Sequence, residues 1–256
     1  MKKTLLFITL TLSLTWIIWG IVVYLLDKDL LTFYHPLSIA LFTLGGATPS
    51  VLGLYFIFVK DKQYPFKENI VRFIGITHPL RFWVFAIVTP VVIGAVLFLG
   101  YSAYLNLPLT LKNPWYLFFY YFLYSIIVGG LEEIGWRGYL QDKIRHTLPL
   151  FTTGVVIGVV VALWHVPLLL MKYDVIIDGL PYFLALFMFN LYLTYIYAMT
   201  KSILLAVVFH ASMNGIRRIV ALDRILDTPV INYILLGSFI GIGLILLLLA
   251  QKKIQT

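Results

Sequence analysis

Cysteine is missing from all 256 residues. That excludes disulfides, thiolate-bound zinc, iron–sulfur clusters and a thiol nucleophile. Charge is scarce too: Asp, Glu, Lys and Arg make up 12% of the chain, roughly half of what a soluble domain carries. Acid is scarcer than base, with 11 Asp and Glu against 19 Lys and Arg and a net charge of +8. No basic stripe with interleaved aromatics stands apart from the apolar runs, so nucleic acid is not an expected partner. Lys and Arg of such a chain belong in cytoplasmic loops, facing anionic headgroups. Internal repeats and low-complexity tracts are also lacking, and with them the paired halves of many carriers.

What remains is apolar. Hydrophobic residues are 61% of the chain and the mean hydropathy is +0.97. They fall into runs of about 20 residues, the length that crosses the hydrocarbon of a bilayer. The expected spans are 5–26, 36–59, 82–101, a fourth from Trp115 whose helical pattern continues to about His146, then 150–171, 182–199, 203–220 and 230–250. The first follows a basic start but exceeds the apolar region of a signal peptide, and no small-x-small site precedes Asp27, so it reads as a retained helix. The expected fold class is therefore all-α: a polytopic membrane protein of about eight transmembrane helices, with its core in helices four to seven. Residues 1–110 would form N-terminal helices and a basic loop, 111–220 the core, and 221–256 a last helix. Residues 60–81 read as a basic cytoplasmic loop with a short interfacial helix. With the N-terminus inside, thirteen of the 19 Lys and Arg fall on the inner side, which favours cytoplasmic termini in a cell membrane. Arg217, Arg218 and Arg224 run against that pattern.

Against this background Gly129-Gly130-Leu131-Glu132-Glu133-Ile134-Gly135-Trp136-Arg137-Gly138 stands out. Ionisable side chains at membrane depth are costly and mark functional sites. On a helix, Glu133 and Arg137 are four apart and can pair, while Glu132 points elsewhere without a local partner. The plain alternative is a solvated helix end. His165 lies deep in the fifth span. If the fourth and fifth helices turn at Leu148-Pro149, Glu132 and His165 are each about 16 residues from the turn and share one level at roughly 1.5 Å per residue. His210 and Asn214 are four apart on one face of the seventh span and need a polar counterpart; Glu132 and His165 are the candidates. A lone intramembrane histidine is more often a hydrogen-bonded core side chain, but here three elements carry polar groups together. Ser212 points away from His210 and Asn214, which argues against serine attack.

A carboxylate with an imidazole suits activation of water, and an imidazole with a carboxamide suits an oxyanion. The set fits amide hydrolysis without a covalent intermediate. Glu132, His165 and His210 could instead ligate a divalent metal such as zinc in a His₂Glu site, although His-Glu-x-x-His is absent.

Three segments carry a family resemblance. Glu132-Glu133-Ile134-Gly135-Trp136-Arg137 looks like the Glu-Glu-x-x-x-Arg motif of the CPBP intramembrane proteases, which include Rce1-like CAAX prenyl endopeptidases and bacterial Abi proteins. Val161 through His165 resembles their Phe-x-x-x-His motif, with Val161 in place of the phenylalanine. His210-Ala211-Ser212-Met213-Asn214 resembles their His-x-x-x-Asn motif. The likeness spans about 115–219. It implies that Glu132 and His165 activate water, that His210 and Asn214 form the oxyanion pocket, and that Glu133 and Arg137 support them. It leaves a metalloprotease and a metal-free glutamate protease both open. The implied substrate is a membrane-associated peptide or protein. Two rivals use the same residues differently: a proton-coupled transporter, and a non-catalytic immunity or scaffold protein.

Overall fold

Lipid offers no partner to a free backbone N–H or C=O, so the apolar runs become helices. A computed structural model describes residues 2–62, 64–171, 179–220 and 229–255. Its elements are α1 (Lys2–Asp27), α2 (Pro36–Tyr55) ending in a π turn (Phe56–Lys60), α3 (Phe66–Ile74), α4 (Leu80–Tyr104) and α5 (Leu117–Ile127). A 3₁₀ turn (Gly130–Glu132), a π-helical segment (Ile134–Gln141) and α6 (Asp142–Arg145) follow. Then come α7 (Leu150–Trp164) with a 3₁₀ extension (Val166–Leu170), α8 (Leu180–Thr200), α9 (Ile203–Val220) and α10 (Pro229–Gln255). Eight helical stretches among the described residues are long and apolar enough to cross a membrane. The chain is thus an all-α, multi-pass membrane protein.

The most enclosed span is α9: 78% of its apolar window is buried, against 22–44% for the other seven. It packs on α4, α5 and α8. Its last carbonyls would be orphaned, but Lys112 N–H donates to Ile219 O (2.9 Å) and Asn113 Nδ2 to Arg218 O (2.8 Å). Arg218 lies over the rings of Tyr121 and Tyr124, 5.4 and 5.6 Å from their centroids, a cation–π seat for a charge that the inside-positive pattern left unexplained. Arg224 lies outside the described residues, as do Asp174, Asp178, Asp223 and Asp227.

Helices α1, α2 and α7 are joined by small polar contacts. Thr15 Oγ1 donates to Gly45 O (3.1 Å), Trp164 Nε1 to Thr15 Oγ1 (2.7 Å) and Trp19 Nε1 to Phe42 O (2.9 Å). Between apolar spans such bonds and close approaches replace the hydrophobic drive that lipid cannot supply.

One end of the bundle gathers the charged loops. Lys3 and Lys143 meet Asp61 at 2.6 and 2.8 Å, and Lys201 meets Asp142 at 2.7 Å. Gln251 Oε1 accepts from Phe151 N–H (3.1 Å). Both ends of the chain therefore lie at this end, as eight crossings require. The stretch expected to be a basic loop is more firmly held than its composition suggested. The apolar side chains Phe66, Val71 and Ile74 of α3 are exposed, but Arg72 is only 6% exposed. Its guanidinium donates to Asn69 Oδ1 and the Gly138 carbonyl, each at 3.0 Å, and also bonds Asp142 and the Tyr197 hydroxyl. The Tyr64 hydroxyl donates to Asp142 (3.1 Å); burial and the Asp142 charge push its pKa up to about 12, so it stays a neutral donor. Burial would raise the Asp61 carboxyl, but hydrogen bonds from Lys143, Lys3 and Tyr139 outweigh it and hold it below its usual range.

Candidate active site

The fourth crossing is not the continuous helix expected from its hydropathy. Helix α5 stops at Ile127, Val128 is extended, and Gly129 has φ +113°. Only glycine adopts that conformation at little cost. The chain then restarts as the 3₁₀ turn and the π-helical segment, a geometry that often accompanies functional sites. Apolar periodicity does not register such a break; the Gly129-Gly130 pair was its one sign. Two further glycines seat the segment against α2. A Cβ on Gly53 would lie 2.7 Å from the Gly135 Cα, and one on Gly135 would run into the Pro49 carbonyl.

Within the π-helical segment the pair expected from spacing forms, Arg137 Nε donating to Glu133 Oε2 at 2.8 Å. Both residues are buried, Arg137 completely. Its remaining donors reach α8, Nη1 to Thr194 Oγ1 (3.1 Å) and Nη2 to Asn190 Oδ1. Neither α8 residue was singled out from the sequence. Their signal was available, since Asn190 and Thr194 are four apart in an apolar span, the spacing already noted for His210 and Asn214.

The other oxygen of Glu133 holds His210: Nδ1 lies 2.7 Å from Oε1. The acidic partner of His210 is therefore Glu133, not Glu132. The expectation assumed α-helical geometry through the acidic pair, and the 3₁₀-to-π transition rotates Glu133 toward α9 instead. With Glu133 as a carboxylate, Nδ1 carries the proton and Nε2 is turned outward. A Cβ placed on Gly129 would lie 3.0 Å from His210 Nε2 and 2.9 Å from Asn214 Nδ2, so both nitrogens face the helix break.

Glu132 is half-buried, and its carboxylate makes no hydrogen bond among the described residues. Its N–H donates to Gly129 O (3.0 Å). His165 closes α7, where Pro167 and the 3₁₀ turn end the helix. Its Nδ1 donates to Val161 O (2.8 Å) and its Nε2 has no partner among the described residues. The bond is made by the main-chain carbonyl of Val161, so it does not depend on which side chain stands there. His165 lies within electrostatic reach of His210 and Glu133. Ser212 is buried and donates back to Val208 O (2.8 Å).

Among the described residues no three His, Asp or Glu side chains gather as metal ligands.

Residues 113–216 match the family described as type II CAAX prenyl endopeptidase Rce1-like. The CAAX prenyl protease 2 of Methanococcus maripaludis is 30% identical over 116 residues, covering 42% of this chain and 42% of that protein. The match thus spans less than half of the relative's length.

Proposed function

We propose that this chain, whose residues 113–216 match the Rce1-like family of CAAX prenyl endopeptidases, is an intramembrane endopeptidase that hydrolyses a peptide bond with an activated water. One observation carries this reading. Beside the saturated Glu133–Arg137 pair, four polar groups have no hydrogen-bond partner among the described residues: the Glu132 carboxylate, His165 Nε2, His210 Nε2 and the Asn214 amide. Unused hydrogen-bonding capacity inside apolar helices is expensive, and a substrate would use it.

In this reading Glu132 takes a proton from water while His165 Nε2 orients it, and the oxygen attacks the scissile carbonyl. The oxyanion receives hydrogen bonds from Asn214 Nδ2 and His210 Nε2. Because His210 Nδ1 already donates to Glu133, Nε2 donates only when the ring is a cation, and Glu133 sits where it stabilises that cation. Collapse of the tetrahedral intermediate breaks the C–N bond, and the leaving amine takes the proton from Glu132. Arg137, fixed by Asn190 and Thr194, keeps Glu133 aimed at His210.

The relative's name points to a prenylated C-terminal peptide as the first substrate class to test. An apolar enclosure suits a lipid-modified or membrane-embedded peptide. In this reading the end bearing both termini faces the cytoplasm, the side that an excess of Lys and Arg favours.

The test is cleavage of a farnesylated peptide by the protein in proteoliposomes. Glu132→Ala, His165→Ala and His210→Ala should each lose about 10²–10⁴-fold in kcat, the usual worth of a general base or an oxyanion donor. Unchanged cleavage in all three refutes the mechanism. Proton-driven uptake without cleavage would favour a carrier, and full cellular function of Glu132→Ala would favour a scaffold.

A further inference from the structure

We infer that Gly129 is a positioning residue of the oxyanion pocket: its bare Cα is the floor against which His210 Nε2 and Asn214 Nδ2 converge on one acceptor. This rests on the hydrolytic reading above. Both nitrogens lie within 3.0 Å of a single point, the place a Cβ on Gly129 would occupy. They are therefore close enough together to donate to one oxygen at ordinary N–H···O lengths. Neither nitrogen bonds another described residue, although both sit on the most enclosed helix.

The same residue has two other tasks. Its φ of +113° lets the chain leave α5, and its carbonyl accepts from Glu132 N–H at 3.0 Å. One face of Gly129 thus holds the turn that carries the free carboxylate, and the other leaves room for the two donors. Acid and oxyanion donors are registered to each other through a residue with no side chain. A Cβ at 129 would crowd both donors at once, and each would have to give way from its position facing the substrate oxygen. Gly130 has no such role, since a Cβ there would meet Ser125 O and Val207 instead.

A double-mutant cycle in proteoliposomes, with the farnesylated peptide as probe, tests this. Gly129→Ala should lower kcat by at least about 10²-fold, the cost of one oxyanion donor, with KM changed only a few-fold. In an Asn214→Ala background the same substitution should cost at least tenfold less, because the donor it displaces is already gone. Losses that multiply independently would overturn the inference. Where Gly129→Ala is too unstable for kinetics, its unfolding midpoint is compared in the two backgrounds: a smaller loss beside Asn214→Ala supports the crowding at the donor, and an equal loss, the mark of the φ strain alone, overturns it. The outcome is separable from the hydrolytic reading: if Asn214→Ala and His210→Ala leave kcat intact, that reading fails first, whatever Gly129→Ala does.

Discussion

Two buried charged clusters lie at opposite ends of the same π-helical segment, and they spend their hydrogen bonds differently. Past its C-terminal end, Asp142 is surrounded by Arg72, Tyr64 and Lys201, and the same Arg72 nitrogen that bonds Asp142 also bonds the Tyr197 hydroxyl. Of the Arg72 donors, Nε alone is left over among the described residues. At the N-terminal end Glu133 is equally saturated by Arg137 and His210, yet among the described residues the Glu132 carboxylate, the Asn214 amide and the outer nitrogens of both histidines have no hydrogen-bond partner. Burial of charge by itself does not distinguish a site from a brace. Both clusters bury an Arg–carboxylate pair; one closes on itself, and the other stops short where a substrate would complete it.

Substitutions should pull the two apart. Glu132→Gln is expected to lose about 10³-fold in kcat, within the range for a general base, with an unchanged unfolding midpoint in detergent. Asp142→Ala is expected to do the reverse. It strands Arg72 and should cost about 3–5 kcal/mol, as breaking a buried pair does, while the molecules that remain folded keep their kcat. Loss of activity per folded molecule in Asp142→Ala would erase the distinction.

A smaller effect probes the join between the clusters. Thr194→Val removes one bond from the buried Arg137 and should destabilise by about 1–3 kcal/mol. Because Arg137 aims Glu133 at His210, a measurable fall in kcat should accompany it, and Thr194→Ser should restore both. Acid titration comes next. The folded Asp61 carboxyl titrates below its usual range, so its contribution is complete at neutral pH and is lost as pH falls through the folded value. Unfolding midpoints of the parent and Asp61→Asn should therefore differ at pH 7 and converge in acid, by no more than about 1 kcal/mol given the exposed Lys3. The least change is expected from a chelator: EDTA in excess should leave cleavage intact, and loss restored by zinc would show that ligands assemble on binding.

Much of this was readable from residues alone, for reasons particular to each. The eight spans follow from length and hydropathy, and the Glu133–Arg137 contact follows from a spacing of four, which survives the change from α to π winding. The partner of His210 does not follow, because spacing assigns a face only after the helix type is known. Nothing in the composition of Leu117–Arg145 reports a φ of +113°. Arg72 misled in the opposite sense. Composition predicts a headgroup neighbour for a cation in a loop, whereas a carboxylate 70 positions along the chain captures it. Asn190 and Thr194 were legible in principle, since a carboxamide in an apolar helix asks for a partner just as a carboxylate does.

The seam between α2 and the π-helical segment has one more implication. Gly53, Gly135 and Pro49 meet there main chain to main chain, leaving no rotamers to rearrange. Such a joint can hold or part, but it cannot slide. In the hydrolytic reading, while this joint holds, any widening around a bound peptide falls to other helices, and the acidic pair stays fixed against α2.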